Sequence, residues 1–532
     1  MTESREPQEP APPAAEGSCC GVSACCTDAE QAADPDKTVE QAKTDAGCGC
    51  LADEAAQRPG ARHPVVVIGA GPVGLAAAAH LAERGLEFLV LEAGATVGAA
   101  ISEWGHVRLF SPWRYDTDAA ARRLLEPAGW TAPPADVLPT GAELVRDYLV
   151  PLAETPQLNG RVRTSTRVLA VTRDGVDTTR TIGRDEHPLL VRVREPDGTV
   201  ADLRARAVID ASGTWGNTNP LGHSGLPAPG EDEAAAHLTG PLPDVLGRDR
   251  DRFAGRHALV VGMGHSAANT LLALAELAAE EPGTRITWAV RDASVARLYG
   301  GGDADGLPAR GALGSRLKDA VEAGAIDLVR SFTIARFTVT GTGVQVHGTT
   351  PDGDRTLAVD TVVAATGFRP DLAMLREVRL DLDPATEAPA KLAPLIDPNF
   401  HSCGTVPPHG ERDLAHPETG FYLAGAKSYG RAPTFLMATG YEQVRSIVAA
   451  LAGDREAADT VQLDLPETGV CSTDLAEEAD GGCCGGGPEP ELVQIGSGAP
   501  SGGVGFATGR PNGYSGDAER AGRAQQAERA DA

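Results

Sequence analysis

The chain has 532 residues, 42% of them hydrophobic, and a formal net charge of −27, long enough for two or three domains with sizeable cores. That acidic balance excludes a nucleic-acid surface, which needs clustered lysine and arginine. No basic start runs into an apolar leader, and the longest apolar run, 65–82, is broken by glycines, so neither a signal peptide nor a membrane span is expected.

Residues 1–62 hold 5 basic and 12 acidic side chains, and residues 454–532 hold 5 and 15. Both ends are rich in Ala, Gly, Pro and Glu and poor in large apolar residues, so they are expected to be disordered tails. The first folded element is Val65–Ile68, a continuous apolar run that reads as a buried strand and enters Gly69-Ala70-Gly71-Pro72-Val73-Gly74. An alanine-rich helix over 75–84 with Gly85 behind it and a strand over 87–91 ending on Glu92 complete a dinucleotide-binding unit. Gly69 makes the turn, Gly71 lets backbone approach a pyrophosphate, Gly74 lets helix pack on strand, and Glu92 is placed for ribose hydroxyls.

The loop 94–115, with Trp104, His106, Arg108 and Trp113, could wall a flat conjugated ring or simply pack between subdomains. A helix is expected over 142–153, and an antiparallel meander over 161–173 and 189–208, where apolar and polar residues alternate. A strand at 207–210 enters Ala211-Ser212-Gly213-Thr214-Trp215, a glycine turn aimed at the same cofactor. After a loop-rich stretch, 218–251, a second unit begins: strand 257–261, Gly262-Met263-Gly264-His265-Ser266-Ala267, a helix over 268–279, and a strand 286–290 ending on Arg291. A carboxylate at that terminus favours a free ribose diol, whereas an arginine accommodates a 2′-phosphate, so FAD is expected on the first unit and NADPH, rather than NADH, on Gly262, Gly264, Ser266 and Arg291.

A further strand, 357–363, leads into Ala364-Ala365-Thr366-Gly367-Phe368. The last element is Gly420–Lys427, containing Gly425, followed by a helix from about Thr434 to 451 with Pro433 in its first turn, its N-terminus directed at the flavin. The fold class is therefore α/β, with two nested Rossmann-like domains: a discontinuous FAD domain (63–250 and 357–453), an inserted NADPH domain (251–356), and disordered cysteine-containing tails (1–62 and 454–532).

Nine of the ten cysteines lie in the tails. The adjacent pairs Cys19-Cys20, Cys25-Cys26 and Cys483-Cys484 are candidate soft-ligand sites for a thiophilic metal or metalloid; unliganded low-complexity sequence is the competing reading. Cys403 is the one cysteine of the core. With His401 beside it, and His409 and His416 nearby in sequence, it is a candidate redox or substrate-holding thiol, or an inert buried one.

The order of these elements resembles the two-dinucleotide-domain flavoproteins, which include flavin-containing monooxygenases and pyridine-nucleotide disulfide reductases. The segments WGHVRLFSPWRY (104–115), HSCGTVPPHG (401–410) and KSYGRAPTFLMATGYEQVRS (427–446) look most like flavin-dependent monooxygenases of bacterial arsenic-resistance operons. The resemblance implies FAD and NADPH as cofactors and a small-molecule substrate; nucleotide dependence without a visible signal peptide leads to the expectation of a cytoplasmic location, with a homodimer as a candidate assembly. The resemblance further implies oxygenation by reduced flavin of a soft nucleophile, a trivalent arsenical or a thiol. Three departures matter: the core lacks the Cys-x-x-Cys of the disulfide reductases; the monooxygenase fingerprint, a phenylalanine and glycine before a histidine just ahead of the NADPH fold, is only partly met, by His237 without its aromatic companions; and the acid that commonly follows the glycine of the last flavin segment is Ala426. The alternatives are a reductase using the tail cysteines and a metalloid-buffering protein with secondary flavin turnover.

Overall fold

The structure is a computed structural model and describes residues 63–299, 308–398, 406–433 and 435–463. The tail cysteines, His401, Cys403 and Thr434 lie outside the described residues.

In chain order, strand β1 (Val65–Ile68), helix α1 (Pro72–Glu83) and strand β2 (Phe88–Leu91) form the opening unit. After a mostly helical stretch comes β3 (Val162–Arg163), then an antiparallel meander of β4 (Arg167–Arg173), β5 (Leu189–Arg194) and β6 (Val200–Ala205), and then β7 (Ala207–Asp210). The second unit contains β8 (Leu238–Thr239), β9 (His257–Val261), α2 (His265–Glu280), β10 (Arg285–Ala289), α3 (Pro308–Glu322) and β11 (Asp327–Val329). A second meander, β12 (Thr333–Val339), β13 (Val344–Thr350) and β14 (Gly353–Val359), precedes β15 (Thr361–Ala364). After β16 (Phe421–Leu423) and α4 (Met437–Leu451), a short helix α5 (Arg455–Asp459) closes the described residues, inside the stretch expected as a disordered tail; Asp454 caps it and Asp459 pairs with Arg412.

Two five-stranded sheets result, ordered β16-β7-β1-β2-β3 and β11-β10-β9-β15-β8. β1 pairs in parallel on both sides, Val65 standing opposite Phe88 and Ala207, and all four of its residues are buried. Burial on both faces explains why its sequence is continuously apolar instead of alternating. α1 is buried from Val73 to Leu81 because it lies in the same core as α4, and its run of alanines lets the backbones approach.

Three sequence expectations shift. The single strand expected at 357–363 is two, β14 and β15, because Asp360 turns the chain between them: its N–H donates to His257 O (2.9 Å) and its Oδ2 accepts from His257 N (2.7 Å). β15 consequently pairs with β9 in the second sheet, and β8 pairs with β15, so the second sheet draws on residues before 251 and after 356. Of the closing segment, only β16 joins the first sheet, beside β7. Finally, the helix expected from about Thr434 begins at Met437, so Pro433 lies in the approach to it and not in its first turn.

The chain crosses twice between the sheets, through 211–219 and 365–371, and the two crossings are laced together. Asn219 N donates to Gly367 O (2.9 Å) and Arg369 N to Asn217 O (3.0 Å). Asn217 Nδ2 donates to Pro370 O (3.2 Å) and Asn219 Nδ2 to Thr366 O (3.1 Å).

Candidate functional site

The fingerprint glycines are held by contacts that a side chain would destroy. A Cβ on Gly74 would sit 1.9 Å from Gly69 O, and one on Gly69, whose φ is +98°, would meet Ala211 O at 2.7 Å. The second unit repeats the arrangement: Gly262 has φ +124°, and its Cβ would meet Ala365 O at 2.0 Å. In each unit the crossing strand thus runs directly over the first glycine. The third position differs, since Ala267 is fully buried where the first unit needs Gly74.

Gly71 and Gly264 have the opposite character. Each is an N-cap, of α1 and α2 respectively, with no side-chain cap, and a Cβ on either would meet nothing within 4 Å. The N-terminus of α4 is likewise without a side-chain cap at Leu436. Uncapped helix N-termini present N–H groups and positive dipole ends, the arrangement that takes phosphates or a reduced, negatively charged ring.

One cavity of about 530 Å³ joins these ends. Gly69, Gly71, Glu92, Ser212, Gly213, Gly425 and Ala426 line it from the first unit, and His265, Ser266, Asn269 and Arg310 from the second. Trp104, Trp215 and Phe368 form an aromatic wall, with ring centroids 6.3 and 5.3 Å apart along the series. Phe110 stands edge-on to His265 at 5.1 Å, so the 94–115 loop touches the N-terminus of α2.

Of the expected site residues, Glu92 is fixed beneath the glycine loop: Oε2 accepts from Ala70 N (2.8 Å) and Oε1 from Gly94 N (2.7 Å). Each carboxylate oxygen retains a further lone pair for a ribose hydroxyl. Gly74, Gly262, Gly264 and Gly367 shape the cradles without lining the cavity, and Gly367, at φ +83°, takes part in the laced crossing. Arg291 is exposed two residues past β10 and is not among the lining residues. Pro433 and Phe435, which flank Thr434, do line the cavity.

Several site residues were not found from sequence. Arg310 lies in α3, remote from either fingerprint. Ser111 lies in a loop whose polar residues carry no spacing signal. Lys427, directly after Ala426, is buried with Nζ 2.7 Å from Asp210 Oδ2 and 3.1 Å from Ser212 Oγ. Behind Gly425, whose N–H donates to Gln443 Oε1 (2.8 Å), Gln443 Nε2 contacts Ser428 Oγ and His409 Nε2, both at 2.9 Å. His409 and His416, suggested as neighbours of Cys403, are themselves among the described residues. His409 serves this network, and His416 Nδ1 accepts from Asp381 N (3.2 Å). Burial lowers both imidazole pKa values, that of His416 to about 4. Among the described residues no group of three or more His, Cys, Asp or Glu could hold a metal ion, and no helix is long and apolar enough to cross a membrane.

Two parallel-sheet units facing one cavity through uncapped helix N-termini define a two-dinucleotide-domain oxidoreductase. The residues fit FAD on the first unit and a pyridine dinucleotide on the second. The chain belongs to the pyridine nucleotide-disulphide oxidoreductase family, whose profile matches residues 66–391. Among solved structures it is similar to the bacillithiol disulfide reductase of Bacillus cereus, with 20% identity over 74% of this chain and 99% of that one and a TM-score of 0.54. It is also similar to the FAD-bound cadaverine monooxygenase of the desferrioxamine pathway of Erwinia amylovora (13% identity, 75% and 96% coverage, TM-score 0.52). A third is an ornithine N-hydroxylase of Kutzneria sp. 744 (17% identity, 74% and 99% coverage, TM-score 0.50). A comparison with curated proteins found no match.

Proposed function

We propose that the protein is an NADPH-dependent flavoprotein monooxygenase acting on a soft nucleophile, a trivalent arsenical or a thiol. The carrying observation is the cavity that joins both dinucleotide cradles behind an aromatic wall. Bound FAD supplies hydride acceptance and, once reduced, reactivity toward oxygen. The chain's own part is positional. Gly71 and the α1 N-terminus hold the pyrophosphate, Glu92 the ribose, and the α4 N-terminus the negative charge of the reduced ring. Ser266 and the α2 N-terminus hold the nicotinamide nucleotide, with Arg291 or Arg310 on a 2′-phosphate. Trp104, Trp215 and Phe368 exclude water from the ring. The vicinal tail cysteines, as thiols in a reducing cytoplasm, suit capture of the same thiophilic substrate.

The second reading is a reductase in which Cys483-Cys484 exchanges electrons with the flavin. NADPH oxidation measured with arsenite, with and without oxygen, separates the two. Oxygen-dependent formation of arsenate supports the monooxygenase; turnover that persists without oxygen on a disulfide or Hg(II), and stops when Cys483 and Cys484 are replaced by serine, establishes the reductase instead.

A further inference from the structure

Among the described residues, three buried side-chain polar atoms have no partner: Asp116 Oδ2, Thr239 Oγ1 and His416 Nε2. Asp116 is joined to the nucleotide cavity. Its other oxygen, Oδ1, accepts from Ser111 Oγ at 2.5 Å, and Ser111 lines the cavity next to Phe110, the residue that meets His265 of the second unit. The carboxyl itself is fully buried. A hydroxyl on the cavity wall is therefore backed by a carboxyl that has one unused oxygen and no access to water.

We infer that Asp116 is a positioning residue that sets the hydrogen-bonding polarity of Ser111 toward the bound rings. With Asp116 ionised, Ser111 commits its proton to Oδ1 and turns its lone pairs to the cavity, accepting hydrogen bonds there. With Asp116 protonated, the carboxyl donates to Ser111 Oγ, and the serine proton is free to point into the cavity as a donor. The same atoms thus offer opposite polarity in two protonation states, and the only change is one proton on Asp116.

The surroundings leave that equilibrium near neutrality. Burial raises the Asp116 pKa to about 7, against the opposing effect of the Ser111 hydrogen bond. The groups packed around it are otherwise engaged. From α1, His80 Nε2 contacts Asp118 Oδ2 at 3.1 Å. Asp118 Oδ1 accepts from Ala121 N (2.8 Å), and Asp118 N donates to Tyr148 OH (2.9 Å). From α4, Tyr441 OH donates to the Asp116 backbone carbonyl (2.7 Å), not to its carboxyl. On its own segment, Arg114 pairs with Asp136 and lies over the Tyr115 ring. No cation among these contacts the Asp116 carboxyl.

The inference rests on the reading of the cavity as the flavin and nicotinamide site, and one titration tests the two separately. The holoenzyme is titrated from about pH 5 to pH 9 while the visible absorption of its bound FAD is recorded, alongside the infrared C=O stretch of protonated carboxyl groups. A band shift of the flavin with a midpoint near neutrality, matched by loss of one protonated-carboxyl signal, is expected in the native chain. Both changes disappear in Asp116→Asn; Ser111→Ala loses the flavin shift and keeps the carboxyl signal; Ser111→Thr keeps both. A flavin spectrum that does not titrate, or one that titrates unchanged in Asp116→Asn or Ser111→Ala with FAD still bound, overturns the inference and leaves the cavity reading intact. Protein that folds but binds no FAD overturns the cavity reading itself.

Discussion

Lys427 Nζ stands 2.7 Å from Asp210 Oδ2, with both side chains buried, and so fastens the residues after β16 to the end of β7 at the floor of the cavity. Removing one partner of such a pair leaves an uncompensated buried charge, which costs about 3–5 kcal/mol. Lys427→Met is therefore expected to lower the denaturation midpoint substantially. Lys427→Met combined with Asp210→Asn is expected to recover part of the loss, and urea unfolding of the two variants measures the difference. Equal stability of single and double variants would show that the pair is not coupled.

Two neighbouring glycines should fail in different ways. Gly74→Ala drives a methyl group into Gly69 O, so the turn must open; the expected result is loss of FAD together with a lower melting temperature. Gly71→Ala meets no protein atom. Its melting temperature without cofactor should stay within a few degrees of the native value, while FAD affinity falls at least about tenfold, or about 1.4 kcal/mol. Fluorescence titration with FAD and thermal unfolding of the apoprotein distinguish the two.

The nicotinamide specificity depends on which arginine meets the phosphate. If Arg291 does, as the end of β10 suggests, Arg291→Ala should raise KM for NADPH about tenfold, the worth of a lost hydrogen bond to a charged group, and leave KM for NADH unchanged. If the cavity-lining Arg310 does, Arg310→Ala should show that pattern instead. Steady-state kinetics with both nucleotides decides.

Asp116 also predicts a pH dependence of stability. Its folded pKa, about 7, lies above the ordinary aspartate value of 3.8, so the native state retains a proton that the unfolded chain has released between those values. Its contribution is therefore fully present below pH 3.8 and is lost as pH rises toward 7. Asp116→Asn removes that loss. The variant's stability relative to the native chain should increase from pH 5 to pH 8 by about 2–4 kcal/mol, measured by denaturant unfolding at each pH.

The opening unit was legible because every local signal agreed: an apolar strand, turn glycines, an alanine-rich helix and a terminal acid all specify one arrangement. The second unit was read from the same grammar, but its edges were not, since Val359 and Thr361 sit in one apolar run and only the pairing of Asp360 with His257 reveals that they belong to different sheets. The meander β12–β14 carries Arg336, His347 and Arg355 on its strands, which dilutes the alternation. Arg310 and Ser111 reach the cavity through tertiary packing alone, and no spacing in the sequence links them to a fingerprint. Lys427 was hidden for a related reason: a lysine in sequence suggests solvent, and its partner Asp210 lies 217 positions away.

The laced crossings carry one more implication. Because 217–219 and 366–370 run antiparallel and are bonded through backbone and side chains alike, the neck between the two sheets is a short two-stranded ribbon and not a pair of independent strings. A ribbon resists shear and stretching but yields to torsion. Rotation of one nucleotide unit against the other about the neck is therefore expected to meet less resistance than their separation.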